Sequence, residues 1–226
     1  MPVYNEARTL AEIVRRVMKA SVPVSRELII VDDASQDATP EVLRAIVAEH
    51  GDAVRVFSHQ TNRGKGAAIR TGIANARGEV VLIQDADLEY DPRDYPLLLE
   101  PIIEDQAEVV FGNRFHGGGP HRVLYFWHYM ANRFLTLLTD VLTGLNLSDM
   151  EVGYKVFRAD VLRRITLKSD RFGFEPEITI KVARLGCRIY EVPIRYYGRT
   201  YAEGKKITWR DGLAALGHII RHRFLD

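Results

Sequence analysis

An α/β fold, a mostly parallel sheet flanked by helices, is what this sequence of 226 residues predicts. Three observations carry that expectation. Short apolar runs bounded by turn residues alternate with amphipathic stretches through the first half. The run Val80 to Ile83 is apolar without a polar alternation, the composition of a strand buried on both faces, as parallel strands are. The length suits one large domain with a substantial core.

The elements follow in order. Pro2-Val3-Tyr4-Asn5-Glu6 reads as the end of a strand entering a helix, with the first half of that N-terminal strand missing. Residues 7–20 place Leu10, Ile13, Val14 and Val17 on one helical face. Glu27 to Val31 is a buried strand. Asp37 or Thr39 caps the next helix, with Pro40 near its first turn and His50 near its end. Val54 to Ser58 is a strand. Gly64 to Ala76 is a helix closed by Gly78, and Glu79 to Ile83 is the next strand. Asp94 to Asp105 is helical and Val109 to Gly112 extended. This alternation puts helices on both faces of a parallel sheet, and ligands on such sheets lie past the carboxyl ends of the strands. The second half is less regular. A loop at Gly117-Gly118-Gly119-Pro120 leads into an amphipathic stretch, Val123 to Leu145. A short element at Gly153 to Arg158, helices at Ala159 to Arg164 and Phe174 to Leu185, a strand at Arg188 to Tyr196 and an amphipathic helix at Leu213 to Phe224 follow. Residues 1–226 read as one domain with an internal break near residue 115.

Composition narrows the partners. Lys plus Arg total 31 against 30 for Asp plus Glu, a net charge of +1, so no bulk charge points to nucleic acid. Cys187 stands alone, which excludes an internal disulfide framework and fits a reducing, cytoplasmic compartment. The start does not read as a signal peptide, and no stretch is long and apolar enough to span a bilayer. His128, Arg133 and Asp140 interrupt the Val123 to Leu145 stretch. That stretch suits a helix lying on a membrane surface, a core helix, or a dimer seam. Peripheral association with the cytoplasmic face of a membrane is the expectation, and the oligomeric state stays open.

The residues with the most chemistry follow Ile83. Asp85, Asp87 and Glu89 are spaced i, i+2, i+4 and point the same way if extended geometry persists. Carboxylates so gathered repel unless a cation sits among them, and Mg2+ or Mn2+ on carboxylates keeps open positions for substrate phosphates. A solvated acidic turn is the bland alternative. Four further groups stand at strand ends or on loops. Pro2, Tyr4 and Glu6 suit stacking on a base or ribose and hydrogen bonding. Asp32 and Asp33 suit a nucleobase N–H, or a helix cap. Gly64-Lys65-Gly66 brings backbone close to a ligand and sets a cation at a helix N-terminus; with Gly at 66 it is not a P-loop. Arg199, Lys205 and Lys206 make a basic loop suited to clamping an anion.

In this order the segments resemble the inverting family 2 glycosyltransferases of GT-A fold, and within them the polyprenol-phosphate hexosyltransferase group typified by dolichol-phosphate mannose synthase. The matching segments are PVYNE (2–6), VDDASQDAT (31–39), NRGKGAAIRTG (62–72), QDADLEYDP (84–92), GNRF (112–115), SDMEVGYKVFR (148–158) and RTYAEGKKI (199–207). The resemblance implies a Rossmann-like, mixed and mostly parallel sheet with C-terminal amphipathic helices. It implies a nucleotide-sugar-binding half at 1–115 and an acceptor-binding half at 116–226. It implies inverting transfer of a hexose from a UDP- or GDP-sugar to a polyprenyl or dolichyl phosphate, with Mg2+ or Mn2+. Pro2, Tyr4 and Glu6 would line the nucleotide pocket, Asp33 would meet the base, Lys65 would approach the donor and Asp85 would face the ribose. Asp87 would ligate the metal with Glu89 beside it, where the mannose synthase group carries Gln. Arg114 would line the acceptor-phosphate region, and Arg199 and Lys205 would sit on a closing loop. Glu175 stands in the region where many family 2 enzymes keep a catalytic base, which a phosphate acceptor does not need. Three rivals remain open here. One is an alcohol acceptor with Glu175 as base. Another is a non-catalytic nucleotide-sugar-binding module. The third is a nucleotidyltransferase, disfavoured because PVYNEA is not the Gly-rich basic loop such enzymes carry.

Overall fold

The computed structural model describes residues 1–115, 122–123, 125–171, 173–200, 203 and 209–225, with the backbone alone at 209–211 and 213. β1 (Pro2–Val3), β2 (Leu28–Asp32) and β3 (Val54–Ser58) pair in parallel in that order. β4 (Val80–Ile83), β5 (Val109–Asn113), β6 (Lys155–Arg158) and β7 (Ile189–Pro193) form a second sheet in the order β4-β6-β5-β7. β5 and β7 are parallel, from Val109 opposite Ile189 to Asn113 opposite Pro193. β6 runs antiparallel to both β4 and β5.

The mixed, mostly parallel pairing is as expected, but the strands fall into two sheets, and β4, expected to be a parallel strand, pairs antiparallel with β6. β6 inserts between β4 and β5, so strands joined by one helix in sequence are not neighbours in space. Lys155, Val156 and Phe157 of β6 are fully buried, and the strand takes up the edges of both partners. β1 holds only Pro2 and Val3, and Pro2 has no N–H to give, so the short strand carries a ladder to β2 alone. Because β5 lies between β6 and β7, residues before and after 115 share one sheet.

The helices follow from the sequence pattern. α1 (Leu10–Lys19) buries Leu10, Ile13, Val14 and Val17, one stripe at helical spacing. Each such side chain contributes about 1.5–3 kcal/mol on leaving water. α2 (Thr39–His50) opens where Asp37 accepts the Thr39 N–H at 3.0 Å. α3 is Lys65–Asn75 and α4 Tyr95–Ile103. α5 (Phe126–Thr143), α6 (Ala159–Arg163), α7 (Phe174–Arg184) and α8 (Trp209–Phe224) complete the set. Leu135, Met150, Ile180, Ala215 and Ile219 form a small second core that binds α5, α7 and α8 together. α7 is therefore anchored from behind, with its first turn directed at the carboxyl ends of the strands.

Candidate active site

The turn after β4 is positioned by a buried amide. The Gln84 side-chain carbonyl accepts the hydroxyls of Tyr95 and Tyr154, each at 2.7 Å, and its Nε2 donates to the Asp85 carbonyl at 3.0 Å. The backbone then bends over residues 86–89 rather than staying extended, and Asp87 Oδ1 accepts the Glu89 N–H at 3.1 Å. That bend corrects the expectation that all three acids share one point. Asp85 faces Lys65, whereas Asp87 and Glu89 face Arg199.

Arg199 is the hub of the second group. Its guanidinium lies 2.8 Å from Asp87 Oδ2, 2.8 Å from Glu89 Oε1 and 3.7 Å from Glu6 Oε1. The loop carrying it is sewn to the acidic turn: Tyr196 donates its hydroxyl to Glu89 at 2.8 Å, and the Tyr197 N–H donates to the Glu89 carbonyl at 2.8 Å. Arg122 ties the far side of the loop through Glu203 at 2.7 Å and the Gly198 carbonyl at 3.1 Å. Burial, together with the charges of Asp85 and Glu89, pushes Asp87 up to about 7, with Arg199 pulling the other way. Burial opposes the charge on Arg199, and Glu89, Asp87 and Glu6 overcome it and raise its pKa.

Lys65 is the hub of the first group. Its Nζ lies 3.0 Å from both Asp85 Oδ1 and Glu175 Oε1. Burial would lower its pKa, but the two carboxylates raise it well above the ordinary lysine value. The glycines around it serve a purpose the sequence reading did not assign. A Cβ on Gly64 would stand 2.4 Å from the Asp170 carbonyl oxygen, and one on Gly66 would stand 2.3 Å from that of Ser169. The glycines admit a close backbone approach by the chain's own segment 169–171. Ala67 N–H donates to Asp170 O at 3.1 Å and Arg70 pairs with Asp170, so this segment is clamped on α3 and delivers Glu175 to Lys65.

The remaining sequence candidates fall around these hubs. Asp33 is buried, and its carboxylate accepts the Arg63 N–H at 2.9 Å and the Gly64 N–H at 2.6 Å and contacts His59 Nδ1 at 2.6 Å. It shapes the loop before Lys65. Tyr4 is exposed, Pro2 lies within β1 opposite Val31, and the Asn5 and Glu6 N–H groups bond to Ser35 and Thr39, seating this turn on the one after β2. Arg114 forms a two-pronged pair with fully buried Asp149 at 2.6 and 2.7 Å, its guanidinium 5.2 Å from the Tyr196 ring centre. Lys205, and Lys206 beside it, lie outside the described residues. His59, Asp149 and Glu151 belong to the site's frame and were not singled out from sequence.

Among the described residues no group of three or more His, Cys, Asp or Glu side chains is gathered as a metal cage. The donor set nonetheless fits a divalent cation. Asp87 and Glu89 already converge on one positive group at 2.8 Å each, and hard carboxylate oxygens are what Mg2+ and Mn2+ prefer.

Comparisons with known proteins show the family and the fold. Residues 1–166 match the family model "Glycosyl transferase family 2". Over 211 residues the chain is 36% identical to an undecaprenyl-phosphate mannosyltransferase of Micrococcus luteus, covering 91% of this chain and 85% of that one. It is 30% identical to a dodecaprenyl-phosphate galacturonate synthase of Rhizobium johnstonii, covering 91% of this chain and 60% of that one. In fold it resembles glucosyl-3-phosphoglycerate synthase of Mycobacterium tuberculosis, with a TM-score of 0.75 at 21% identity over 100% of this chain and 80% of that one. A crystal structure of that enzyme with Mn2+, UDP-glucose and phosphoglyceric acid superposes at 0.73 with 20% identity, covering 100% of this chain and 78% of that one. Strand ends that gather acids, a lysine and two arginines, in a chain whose matched segment takes in most of its length, lead to one conclusion: this protein belongs to glycosyl transferase family 2.

Proposed function

We propose that this protein transfers a hexose, with inversion, from a UDP- or GDP-sugar to a polyprenyl phosphate. The observation that carries the reading is the pair of charge hubs side by side at the carboxyl ends of the strands. Lys65 lies on Asp85, and the Asp87–Glu89 pair faces a cation. The names of the relatives, which specify undecaprenyl and dodecaprenyl phosphate, support a lipid-phosphate acceptor.

The residues divide the work. Tyr4, Glu6 and the turn held by Asp33 frame the nucleotide in the half spanning 1–115, with Lys65 and Asp85 beside the donor. Asp87 and Glu89 would hold Mg2+ or Mn2+, which neutralises charge on the leaving nucleoside diphosphate when bound. Arg199 leaves these carboxylates as the donor enters and, with Lys205, meets phosphate oxygens. Arg114, fixed by Asp149, orients the acceptor phosphate from the side of the second half. That phosphate attacks the anomeric carbon from the face opposite the leaving group, in one displacement. A phosphate oxygen is already anionic and requires no base. Glu175 is buried against Lys65, which supports this acceptor over an alcohol.

α5 suits a lipid acceptor. Its inward face is partly polar: Asn132 donates to Asp149 at 3.1 Å and Thr136 accepts the Met150 N–H at 3.2 Å. Its outward face carries Trp127, Met130, Phe134, Leu137 and Val141 at spacings of three and four, with Trp127 78% and Val141 72% exposed. A helix with its apolar stripe turned outward matches the surface of a bilayer. No helix among the described residues is long and apolar enough to cross one.

The test is transfer of radiolabelled hexose from a panel of UDP- and GDP-sugars with Mn2+ into solvent-extractable undecaprenyl phosphate. One donor is expected to label the lipid with release of nucleoside diphosphate. Asp87→Asn should reduce that rate on the order of a hundredfold or more, as loss of a preorganised electrostatic group does. Release of pyrophosphate, or no lipid product with any donor, would overturn the reading.

A further inference from the structure

Two carboxylate oxygens stand out, one on Glu151 and one on Glu175, the partner of Lys65. Glu151 Oε1 and Glu175 Oε2 are enclosed in protein and have no hydrogen-bond partner among the described residues. A buried acceptor without a donor costs about 1–3 kcal/mol, and more when charged. Two such acceptors on neighbouring acids are both satisfied if one acid carries a proton and donates it to the other. We propose that Glu151 carries that proton and donates it to Glu175 Oε2, which makes Glu151 a positioning residue that keeps Lys65 seated between Asp85 and Glu175.

The surroundings select Glu151 as the proton carrier. Glu175 on α7 already has its other oxygen on Lys65 of α3 at 3.0 Å. Among the described residues Glu151 has no ion pair of that kind. Lys155 of β6 is fully buried and donates to the carbonyls of Met150 at 2.9 Å and Val152 at 2.5 Å, fixing the backbone on either side of Glu151. Its amine is thereby directed to neutral carbonyls, and burial pulls it down to about 8. The other charges facing Glu151 are Arg114, which is matched to Asp149, and Asp149 itself in the same turn. Burial first, and the charge of Glu175 second, push Glu151 up to about 7, against the weaker pull of Lys155 and Arg114. In this arrangement both oxygens of Glu175 are committed, one to Lys65 and one to Glu151. A carboxylate paired with a lysine and accepting a proton from a second acid is a weak base, which agrees with an acceptor that brings its own anionic oxygen.

The inference about Lys65 rests on the reading of that lysine as a donor-binding group; the proton itself does not. Infrared spectra of the ligand-free protein, with glutamate isotopically labelled, test the proton directly. A protonated-carboxyl band should be present at pH 6, fade through neutrality, and be missing from Glu151→Gln. Absence of the band in the wild type, or its survival in the variant, overturns the proposal without touching the assignment of function. Calorimetric binding of UDP with Mn2+ tests the positioning. Asp87 titrates in the same window and is common to all variants, so the readout is the ratio of wild-type to Glu151→Gln affinity, which should fall about tenfold between pH 6 and 8.5, the effect of one pKa unit. Glu151→Gln, whose amide donates at every pH, should bind as the wild type does at pH 6 and more tightly than the wild type at pH 8.5. Glu151→Ala should be weak throughout. Identical pH profiles for wild type and Glu151→Gln, or equal losses in Gln and Ala variants, would leave Glu151 with a packing role and sink the idea.

Discussion

Arg199 and Asp87 are joined at 2.8 Å, and the same guanidinium reaches Glu89 at 2.8 Å, so an arginine stands where the acid pair would grip a divalent ion. The two cations compete for the same oxygens. The Arg199 side chain is 21% exposed, so its pairs are only partly screened and each is worth about 1 kcal/mol or somewhat more. Arg199→Ala should therefore tighten Mn2+ binding to the donor-free protein about 3- to 10-fold, read by electron paramagnetic resonance titration. The same variant should lose turnover, because the arginine no longer meets the phosphates. Unchanged or weaker Mn2+ binding would show that arginine and metal do not share these carboxylates.

Gly153 is held to glycine by the site. A Cβ there would stand 2.5 Å from Asp85 Oδ2 and 2.9 Å from the Tyr90 ring. The Gly153 N–H also donates to the Tyr90 hydroxyl oxygen at 2.8 Å, so the backbone has no room to retreat. Gly153→Ala should push Asp85 off Lys65, raising the donor KM and lowering stability by about 1–3 kcal/mol, the usual cost of overpacking. Thermal melting and donor saturation curves check both. A variant with wild-type KM would show that the Asp85–Lys65 contact is not needed for donor binding.

What the sequence made legible was local. Apolar runs and helical stripes mark α1, α3, β2 and β4 because each pattern is set by neighbours within a few residues. Asp85, Asp87 and Glu89 are visible as a spacing, and Lys65 as a cation at a helix start. The rest depends on contacts distant in sequence. β6 carries a buried lysine and is four residues long, so nothing in its composition announces a central antiparallel strand. The split of the acids between Lys65 and Arg199 follows from a bend fixed by Gln84, whose partners Tyr95 and Tyr154 lie 11 and 70 residues away. The segment that Gly64 and Gly66 admit, 169–171, is a hundred residues on, so its packing there is invisible to a local pattern. Glu151 looked like any polar residue in a turn; only enclosure of its oxygen sets it apart.

That enclosure has a consequence for stability. Glu151 sits at about 7 in the folded protein against an ordinary value of 4.5. Between those values the unfolded chain releases this proton while the folded protein keeps it. The unfolded state then binds fewer protons, so stability falls as pH rises across that window and is flat beyond it. Glu151→Gln has no proton to keep. Relative to the wild type it should gain on the order of 1–3 kcal/mol between pH 4.5 and pH 8, compared through urea unfolding midpoints at each pH. A difference between the two proteins that does not change with pH would place the titrating proton elsewhere.

The outward stripe of α5 can be separated from the fold itself. Trp127, Phe134 and Leu137 are exposed, so replacing them removes no core contact, and surface changes of this kind usually stay within about 0.5 kcal/mol. The inward side of the helix keeps its hold through Asn132, Thr136 and Leu135. Trp127→Ser with Leu137→Ser should leave the melting temperature and the binding of UDP with Mn2+ unchanged, yet abolish co-flotation with phospholipid vesicles. Transfer to a short, water-soluble prenyl phosphate should persist, while transfer to vesicle-borne undecaprenyl phosphate should fall in step with flotation. A damaged site would lose both acceptors together, so this dissociation separates a membrane face from a structural role. If instead sedimentation shows a wild-type dimer that the double variant cannot form, and vesicle binding is absent in both, the stripe is a seam between two copies of the chain and not a membrane face.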